Sequence, residues 1–273
     1  MKRILLSHNS FRPGGGTEKF LKQIYKYVNN VEFEFLYTGN RYNYRGLIND
    51  KNFLVHRIET KSLYSFKGLL SYWQIFRFFY KSKYDTIITT SPVIAICATL
   101  SSSNKIILCL RNYWSLTDNN FLRKLEIIIR LKKIHFLTNN YESYKKLISL
   151  GLTRDRVEYI PNGIDIVPFD RKFEKQNIIK LVMLSRFVAT KRFDILTKAI
   201  KSLTDEGYKL YVRYIGEGPL KSKIQEDINK QNLSEVIKLK PYKNLSQLDE
   251  FDVGLLITDS EGFPNTILEY GIK

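Results

Sequence analysis

The stretch Asp259-Ser260-Glu261-Gly262-Phe263-Pro264-Asn265-Thr266-Ile267-Leu268-Glu269 points most directly to the fold of this 273-residue chain. It follows the apolar run Val253–Ile257, which predicts a buried strand. Its glycine and proline predict a turn, after which Asn265 or Thr266 can begin a helix. A helix that begins at the carboxyl end of a parallel strand directs free backbone N–H groups toward an anion. The stretch therefore predicts a strand, a ligand-binding loop and a helix.

Two carboxylates flank this turn. If the helix begins near Pro264, Glu269 lies on its second turn and can accept hydrogen bonds from the vicinal hydroxyls of a ribose. Glu261 precedes the helix, where it could meet a sugar. The alternative interpretation is a loop carboxylate and an exposed helical carboxylate, and the two residues alone leave both interpretations open.

Upstream, short apolar runs alternate with amphipathic segments, which is typical of parallel sheets covered by helices on both faces. The predicted strands are Ile4–Ser7, Phe33–Tyr37, Phe53–Ile58, Thr86–Thr90, Lys105–Leu110, Ile134–Thr138, Val157–Ile160, Ile178–Leu184, Tyr208–Ile215, Val236–Leu239 and Val253–Ile257. Helical periodicity is found around Phe20–Val28, Leu69–Tyr80, Tyr141–Leu150, Ile195–Leu203 and Leu220–Gln231.

A break divides the alternation into two halves. The segment Ile160-Pro161-Asn162-Gly163-Ile164-Asp165 has the chemistry of a turn, and the polar stretch Asp170–Asn177 predicts a linker. We therefore predict two Rossmann-like domains, residues 1–167 and 168–273, each with its own parallel sheet.

Three further loops follow predicted strands and suit anion binding. Gly14-Gly15-Gly16 precedes the first helix, so that the backbone can approach a ligand closely. Arg186 and Lys191 place two cations at one strand end, where they could hold a diphosphate. Gly216-Glu217-Gly218-Pro219 turns between a strand and a helix. Taken singly, the first is equally explained as an ordinary turn, and for the other two an ordinary loop is the favoured interpretation.

Composition excludes several classes. Hydrophobic residues make up 44% and aromatic residues 14%, which excludes a disordered chain, and two cysteines cannot form a disulfide framework. The N-terminal apolar run is too short for a signal peptide, and no run approaches the roughly 20 residues of a membrane span. We therefore expect a cytoplasmic protein. The net charge of +17 suggests anionic partners, but Lys and Arg are spread along the chain and form no compact block.

Together these motifs, in this order and spacing, resemble the GT-B glycosyltransferases of family GT4, and Glu261 through Glu269 match that family's E-x7-E signature. The resemblance spans almost the whole chain. It implies transfer of a sugar from a nucleoside diphosphate sugar, with retention, without a cofactor and without a metal ion. It implies catalytic roles for Arg186, Lys191 and Glu261. It implies that the donor is bound by Gly15, Gly16, Gly216, Phe263, Pro264, Asn265, Thr266 and Glu269.

Two departures from the family pattern stand out. Many relatives carry a histidine in the first domain near the reacting sugar, whereas this chain has Thr90-Ser91-Pro92 and Leu110-Arg111-Asn112 there. His8 follows the first predicted strand and could face the cleft, and Arg111 could replace the missing group. The family's signature is also followed by further strands and a closing helix, so ending at Lys273 predicts a truncated, incomplete second domain.

The resemblance further implies a lipid-linked glycan acceptor in the synthesis of a bacterial surface polysaccharide such as capsule or lipopolysaccharide. The basic, aromatic segment Lys61–Lys83 could contact an anionic membrane at its cytoplasmic face, or be an ordinary core helix. Two other hypotheses stay open at this point. One is a catalytically impaired remnant of such an enzyme, and the other, based on the charge alone, is a nucleic-acid-binding protein, which we do not expect.

Overall fold

The computed structural model describes residues 1–9, 16–39, 54–58, 66–99, 105–111, 125–165, 177–242, 248 and 251–273. The chain divides into two compact units, Met1–Asn162 and Gly163–Lys273. The division falls within the predicted Pro-Asn-Gly turn, a few residues before the boundary predicted at residue 167. The predicted linker at Asp170–Asn177 lies outside the described residues except for its last one.

The first unit contains a parallel sheet whose seven described strands lie in the order β3-β2-β1-β4-β5-β6-β7. Its strands are β1 (Lys2–His8), β2 (Val31–Tyr37), β3 (Leu54–Arg57), β4 (Thr86–Thr89), β5 (Lys105–Leu110), β6 (Ile134–Thr138) and β7 (Val157–Tyr159). Its labelled helices are α1 (Gly16–Tyr27), α2 (Phe66–Lys81), α3 (Pro92–Ala98) and α4 (Tyr141–Ser149). Every pair of neighbouring strands is parallel, so all carboxyl ends lie along one edge.

The second unit repeats this plan on a smaller scale, with its described strands in the order β10-β9-β8-β11. These are β8 (Ile179–Leu184), β9 (Leu210–Ile215), β10 (Ile237–Lys240) and β11 (Val253–Gly254). They alternate with α5 (Phe193–Asp205), α6 (Lys221–Lys230) and α7 (Asn265–Gly271). All described strand pairs are again parallel.

Hydrophobic periodicity explains how these helices pack. In α5, Phe193, Leu196, Thr197 and Ile200 are buried, which is the i, i+3, i+4, i+7 stripe of one helix face. The Phe193 ring packs edge-on against Phe187, with 5.1 Å between ring centroids. This core holds the loop after β8 firmly against the sheet, and that loop carries two of the predicted site residues.

Two glycines in the second unit are required by close backbone approach. A Cβ atom on Gly216, whose φ is +155°, would lie 1.9 Å from the backbone oxygen of Ser185. A Cβ atom on Gly218 would lie 2.4 Å from the backbone oxygen of Phe187. The loops after β8 and β9 therefore lie against each other, and the Phe187 N–H donates to Glu217 at 3.0 Å. Gly216, predicted to bind the donor, thus has a structural role in this contact.

The structure confirms the predicted α/β class with two parallel sheets. Strands predicted at Lys105–Leu110 and Ile134–Thr138 have those bounds. The strand predicted at Val253–Ile257 is shorter, because only Val253 and Gly254 pair with β8 before the chain leaves the sheet. The short helix α3 was not predicted. Its signal was present, since Ser91 caps it through the Ile94 N–H and Pro92 occupies the first turn.

Candidate active site

The centre of the candidate site in the second unit is a pair of cations at the carboxyl end of β8. Arg186 is exposed, and no ion pair joins it to any described residue. Lys191 ends a 3-10 turn, Ala189–Lys191, and is only 8% exposed. The two residues are near enough to repel each other electrostatically. An exposed cation and a buried one thus adjoin each other at a strand end, as the sequence predicted.

The ammonium group of Lys191 donates to the carboxylate of Glu261, and its Nζ atom lies 3.3 Å from the Thr258 hydroxyl oxygen. The Glu261 side chain is 31% exposed, whereas that of Lys191 is 11% exposed. One residue predicted from the loop after β11 therefore meets another predicted from the loop after β8. Folding brings together the three predicted catalytic residues, Arg186, Lys191 and Glu261.

Backbone and side-chain contacts join these two loops. The backbone oxygen of Thr190 accepts from the Asp259 N–H at 2.9 Å and lies 3.0 Å from the Thr258 hydroxyl. Arg192, in the left-handed conformation with φ of 36°, forms ion pairs of 3.0 Å with both Asp194 and Asp259. These contacts fix Glu261 beside Lys191. Sequence reasoning missed Arg192, Thr258 and Asp259, and no local pattern marks them.

The charge of Lys191 depends on this environment. Burial, followed by repulsion from the Arg186 guanidinium, lowers the pKa of Lys191 to about 8. The Glu261 carboxylate favours the protonated form, and an anionic ligand would favour it further. The ammonium group is therefore charged at neutral pH and loses its proton at a slightly higher pH.

Helix α7 is attached to the end of β8. The Thr266 hydroxyl donates to the backbone oxygen of Leu184 at 3.3 Å, and the Tyr270 hydroxyl accepts from the Leu184 N–H at 2.7 Å. The Tyr270 ring also occupies the space over Gly254, where a Cβ atom would lie 2.4 Å from it. These contacts hold α7 against the end of β8, next to the loop that begins with Ser185 and Arg186.

Glu269 lies on the second turn of α7, as predicted, but it is buried and only 3% exposed. The interpretation as an exposed helical carboxylate is therefore wrong. A buried carboxylate needs partners, which agrees with a binding or a structural role. Phe263, Pro264, Asn265 and Thr266 are half-buried around the helix start. Pro264 has no backbone N–H, so at the helix start only the residues after it can donate a backbone hydrogen bond to a ligand. The donor-binding roles of these residues stay predictions.

In the first unit, Gly15 lies outside the described residues, and Gly16 is the first residue of α1. At the carboxyl end of β1, His8 Nδ1 lies 2.5 Å from the Thr90 hydroxyl and His8 Nε2 lies 3.8 Å from buried Glu18. Burial lowers the pKa of His8, and the Glu18 carboxylate acts in the opposite direction. His8 therefore lies at the sheet edge where the sequence placed it.

No group of three or more His, Cys, Asp or Glu side chains in the described part of the chain is arranged to hold a metal ion. The expectation that catalysis needs no metal stays a prediction.

Cys109 is buried and Cys97 is partly buried, and burial raises the pKa of both thiols. Neither has the lowered pKa of a reactive cysteine.

Comparison with known proteins places this architecture. Over 132 residues the chain is 30% identical to EpsF of Bacillus subtilis (strain 168), which is named as a glycosyltransferase, covering 44% of this chain and 34% of EpsF. Over 258 residues it is 26% identical to MJ1059 of Methanocaldococcus jannaschii, also named as a glycosyltransferase, covering 82% of this chain and 63% of MJ1059. The chain thus covers less than two thirds of the length of either relative.

Among solved structures, the fold is similar to that of Anabaena Alr3699/HepE in complex with UDP-glucose. The TM-score is 0.77 at 17% sequence identity, covering 100% of this chain and 78% of HepE. Two parallel α/β units of this kind define the GT-B class of fold. Residues 167–271, which make up most of the second unit, match the family model described as "Glycosyl transferases group 1".

Proposed function

We propose that the protein transfers a sugar from a nucleoside diphosphate sugar to a glycan acceptor, with retention at the anomeric carbon. The observation that carries this proposal is the pair formed by exposed Arg186 and buried Lys191 at the carboxyl end of β8. Two adjacent cations in this position suit a diphosphate. The match of this unit to the glycosyl transferase family, and a similar fold that holds UDP-glucose, agree with it.

The proposed mechanism follows from charge. When the bond between the sugar and the diphosphate breaks, negative charge grows on the leaving diphosphate. Lys191 and Arg186 stabilise that charge more strongly in the transition state than in the ground state. In this proposal the two cations, rather than a metal ion, neutralise the leaving group. Glu261 holds the Lys191 ammonium in place and binds hydroxyls of the donor sugar, while Glu269 binds the ribose.

The first test is donor binding. We expect Arg186→Ala to weaken binding of whichever nucleotide binds, UDP or GDP, by about tenfold or more, because one charge-assisted contact is lost. Lys223→Ala is the matched control, since it removes an exposed cation from α6 of the same unit. Isothermal titration calorimetry measures both. Equal binding by the wild-type protein and Arg186→Ala would reject a diphosphate site at this position.

Donor binding should also depend on pH. Below about pH 8 Lys191 is protonated and attracts the diphosphate, whereas above it the free protein must take up a proton on binding. We expect the Kd for the nucleotide to rise with pH above this value. Phosphate groups titrate near pH 6 and contribute nothing in that range. In Lys191→Arg the guanidinium stays charged, so its Kd should be constant there. A wild-type Kd that is also constant would contradict the assigned role of Lys191.

We further propose that the acceptor is lipid-linked and that helix α2 brings the protein to an anionic membrane surface during surface-polysaccharide synthesis. One face of α2 exposes Leu69, Trp73, Phe76 and Tyr80, each at least 41% exposed. These residues recur at helical spacing and form a single stripe. An ordinary amphipathic core helix would expose polar side chains on its outer face, whereas this face of α2 exposes apolar and aromatic side chains.

Charge around the stripe favours an anionic partner. Residues 66–84 contain no Asp or Glu, and Arg77, Lys81 and Lys83 are exposed. The Arg77 guanidinium lies 5.5 Å from the centroid of the Trp73 ring. Aromatic side chains flanked by cations are typical of helices that lie in a membrane interface. Along the described residues, no helix combines the length and hydropathy needed to cross a bilayer.

Vesicle flotation tests this surface. We expect the protein to float with vesicles that contain anionic phosphatidylglycerol and not with purely zwitterionic vesicles. The double variant Trp73→Ser/Tyr80→Ser should lower the partition coefficient for these vesicles by about tenfold or more, because it removes apolar area from the interface. Tyr208→Ser, an exposed aromatic of the second unit, is the control. Binding that ignores lipid charge or is unchanged in the double variant would reject membrane docking by α2.

A further inference from the structure

Among the described residues, three buried side-chain polar atoms have no hydrogen-bond partner: Ser7 Oγ, Arg111 Nε and Asn139 Oδ1. All three belong to the carboxyl edge of the first sheet. Ser7 is near the end of β1, Arg111 directly follows β5, and Asn139 directly follows β6. Buried polar atoms in folded proteins are nearly always paired, and ligands of parallel sheets bind at this edge. The unpaired atoms therefore mark one edge of one sheet.

Arg111 is the charged member of the group. Its Nη2 donates to the side-chain oxygen of Asn162, which also accepts from Asn139 Nδ2 at 3.2 Å. Its guanidinium lies 3.9 Å from the ring centroid of Phe20 on α1. All these neighbours are neutral, and no carboxylate of a described residue forms an ion pair with Arg111. Burial lowers the pKa of Arg111 to about 10, so the group is charged at neutral pH.

A second arginine of the same unit shows what a structural guanidinium looks like in this fold. Arg156 donates from Nε, Nη1 and Nη2 to the backbone oxygens of Ile129, Leu131 and Ile134, at 2.7 to 3.2 Å. All three of its nitrogens are bonded, and it needs no anion. Arg111 instead leaves its buried Nε unpaired, and no carboxylate in the described part of the chain compensates its half-buried positive charge. Such a charge is costly unless an anion joins it.

The network also fixes which atom of Asn139 is unpaired. Asn162 must present its oxygen to Arg111, because a guanidinium only donates. Asn139 must then turn its NH2 group toward that oxygen, which leaves its own carbonyl oxygen free. The edge therefore offers a charged donor, Arg111 Nε, and a nearby acceptor, Asn139 Oδ1. An anionic oxygen and a hydroxyl on one ligand would satisfy both.

We infer that Arg111 and Asn139 form a second anion site, separate from Arg186 and Lys191, that binds a phosphate carried next to sugar hydroxyls. The glycosyl phosphate end of an acceptor has this chemistry. That the ligand is the acceptor rests on the proposed sugar transfer, whereas binding of a sugar phosphate by Arg111 does not. Carboxylate Glu18 at the same edge is directed to His8 and does not neutralise Arg111.

The experiment uses the full chain carrying Arg186→Ala and Lys191→Ala, so that the cation pair of the second unit cannot contribute. Glucose 1-phosphate is titrated into this double variant by calorimetry. We expect saturable binding, and we expect the further change Arg111→Gln to raise the Kd by about tenfold or more. Arg154→Gln, which removes an exposed arginine from the same unit, is the control and should leave the Kd unchanged. No saturable binding, or equal loss in the control, would overturn the inference.

A second variant covers the case in which Arg111→Gln fails to fold. Asn139→Asp places a carboxylate beside the guanidinium and supplies the missing counter-charge from within the protein. We expect it to weaken glucose 1-phosphate binding about tenfold while the Tm is maintained. Unchanged binding in this variant, in folded protein, would also overturn the site.

Two further titrations distinguish a lipid-borne phosphate from a soluble sugar phosphate, and separate this inference from the proposed donor site. Farnesyl diphosphate binding more tightly than glucose 1-phosphate, in an Arg111-dependent way, would identify a lipid-borne phosphate, and the reverse order a soluble sugar phosphate. UDP and GDP are titrated into the same double variant. If nucleotide binding equals that of the wild-type protein, the proposed donor site fails, while the Arg111 comparison still decides this inference.

Discussion

Replacing Lys191 with alanine is expected to lower kcat/KM for sugar transfer by about a thousandfold, which is the upper range for loss of one preorganised charge in an active site. The ammonium group is buried next to Glu261 and close to Arg186. In the proposed mechanism, its removal takes away a cation that stabilises the leaving diphosphate. It also leaves the Glu261 carboxylate without its partner, and that carboxylate then repels the incoming donor.

The rate is measured as release of nucleoside diphosphate from the nucleotide sugar, with acceptor present or by slow hydrolysis without it. Lys198→Ala is the matched control, because Lys198 is an exposed lysine of α5 in the same unit. Lys191→Arg keeps the charge but changes the geometry, so we expect it to restore part of the rate. A fall of less than about tenfold in Lys191→Ala would place the reacting diphosphate elsewhere.

The sequence predicted the sheets well because their signal is local. β5 and β6 consist of short apolar runs bounded by polar residues, and both strands have the predicted bounds. β11 shows where this fails. Its apolar run continues to Ile257, but pairing with β8 ends at Gly254, followed by one last backbone hydrogen bond from the Leu255 N–H to Val182. The Leu255 oxygen then accepts from the Tyr270 hydroxyl at 3.0 Å, and the chain continues to the contact of Asp259 with Thr190. Long-range contacts, which hydrophobicity does not encode, ended that strand.

The candidate site divides in the same way. The sequence indicated Arg186 and Lys191 as site residues, because both follow the predicted strand β8 within a few residues. The partner of Lys191 was not, because Glu261 is distant along the chain and reaches it only through contacts of Thr190 and Arg192 with the loop at Asp259. Arg111 was noted from sequence only as a substitute for a histidine. Its unpaired Nε depends on the spatial arrangement of three strand ends.

Glu34 forms a buried charged network that no sequence pattern indicated, because its alternation with apolar residues in β2 is typical of an exposed side chain. Its carboxylate is 2% exposed and accepts from Arg3, from His56 Nε2 at 2.6 Å and from the Tyr84 hydroxyl at 2.8 Å. Burial alone raises the pKa of Glu34, but hydrogen bonds from His56, Tyr84 and Arg3 outweigh it and hold the pKa below its ordinary value. The network joins β1, β2 and β3.

Replacing Glu34 with alanine is therefore expected to lower the free energy of unfolding by about 2–3 kcal/mol, less than for a fully buried pair because Arg3 and His56 are partly exposed. Glu32→Ala, on an exposed position of the same strand, should change it by about 0.5 kcal/mol or less.

The stabilisation by Glu34 should depend on pH in one direction. A carboxyl group with a lowered pKa stabilises the folded state above its unfolded-state value of about 4.3 and loses that contribution as the pH falls through and below it. Urea unfolding of the wild-type protein and Glu34→Gln should differ most near pH 7 and progressively less below about pH 4. A difference that is constant with pH would show that Glu34 contributes through packing and not through its charge.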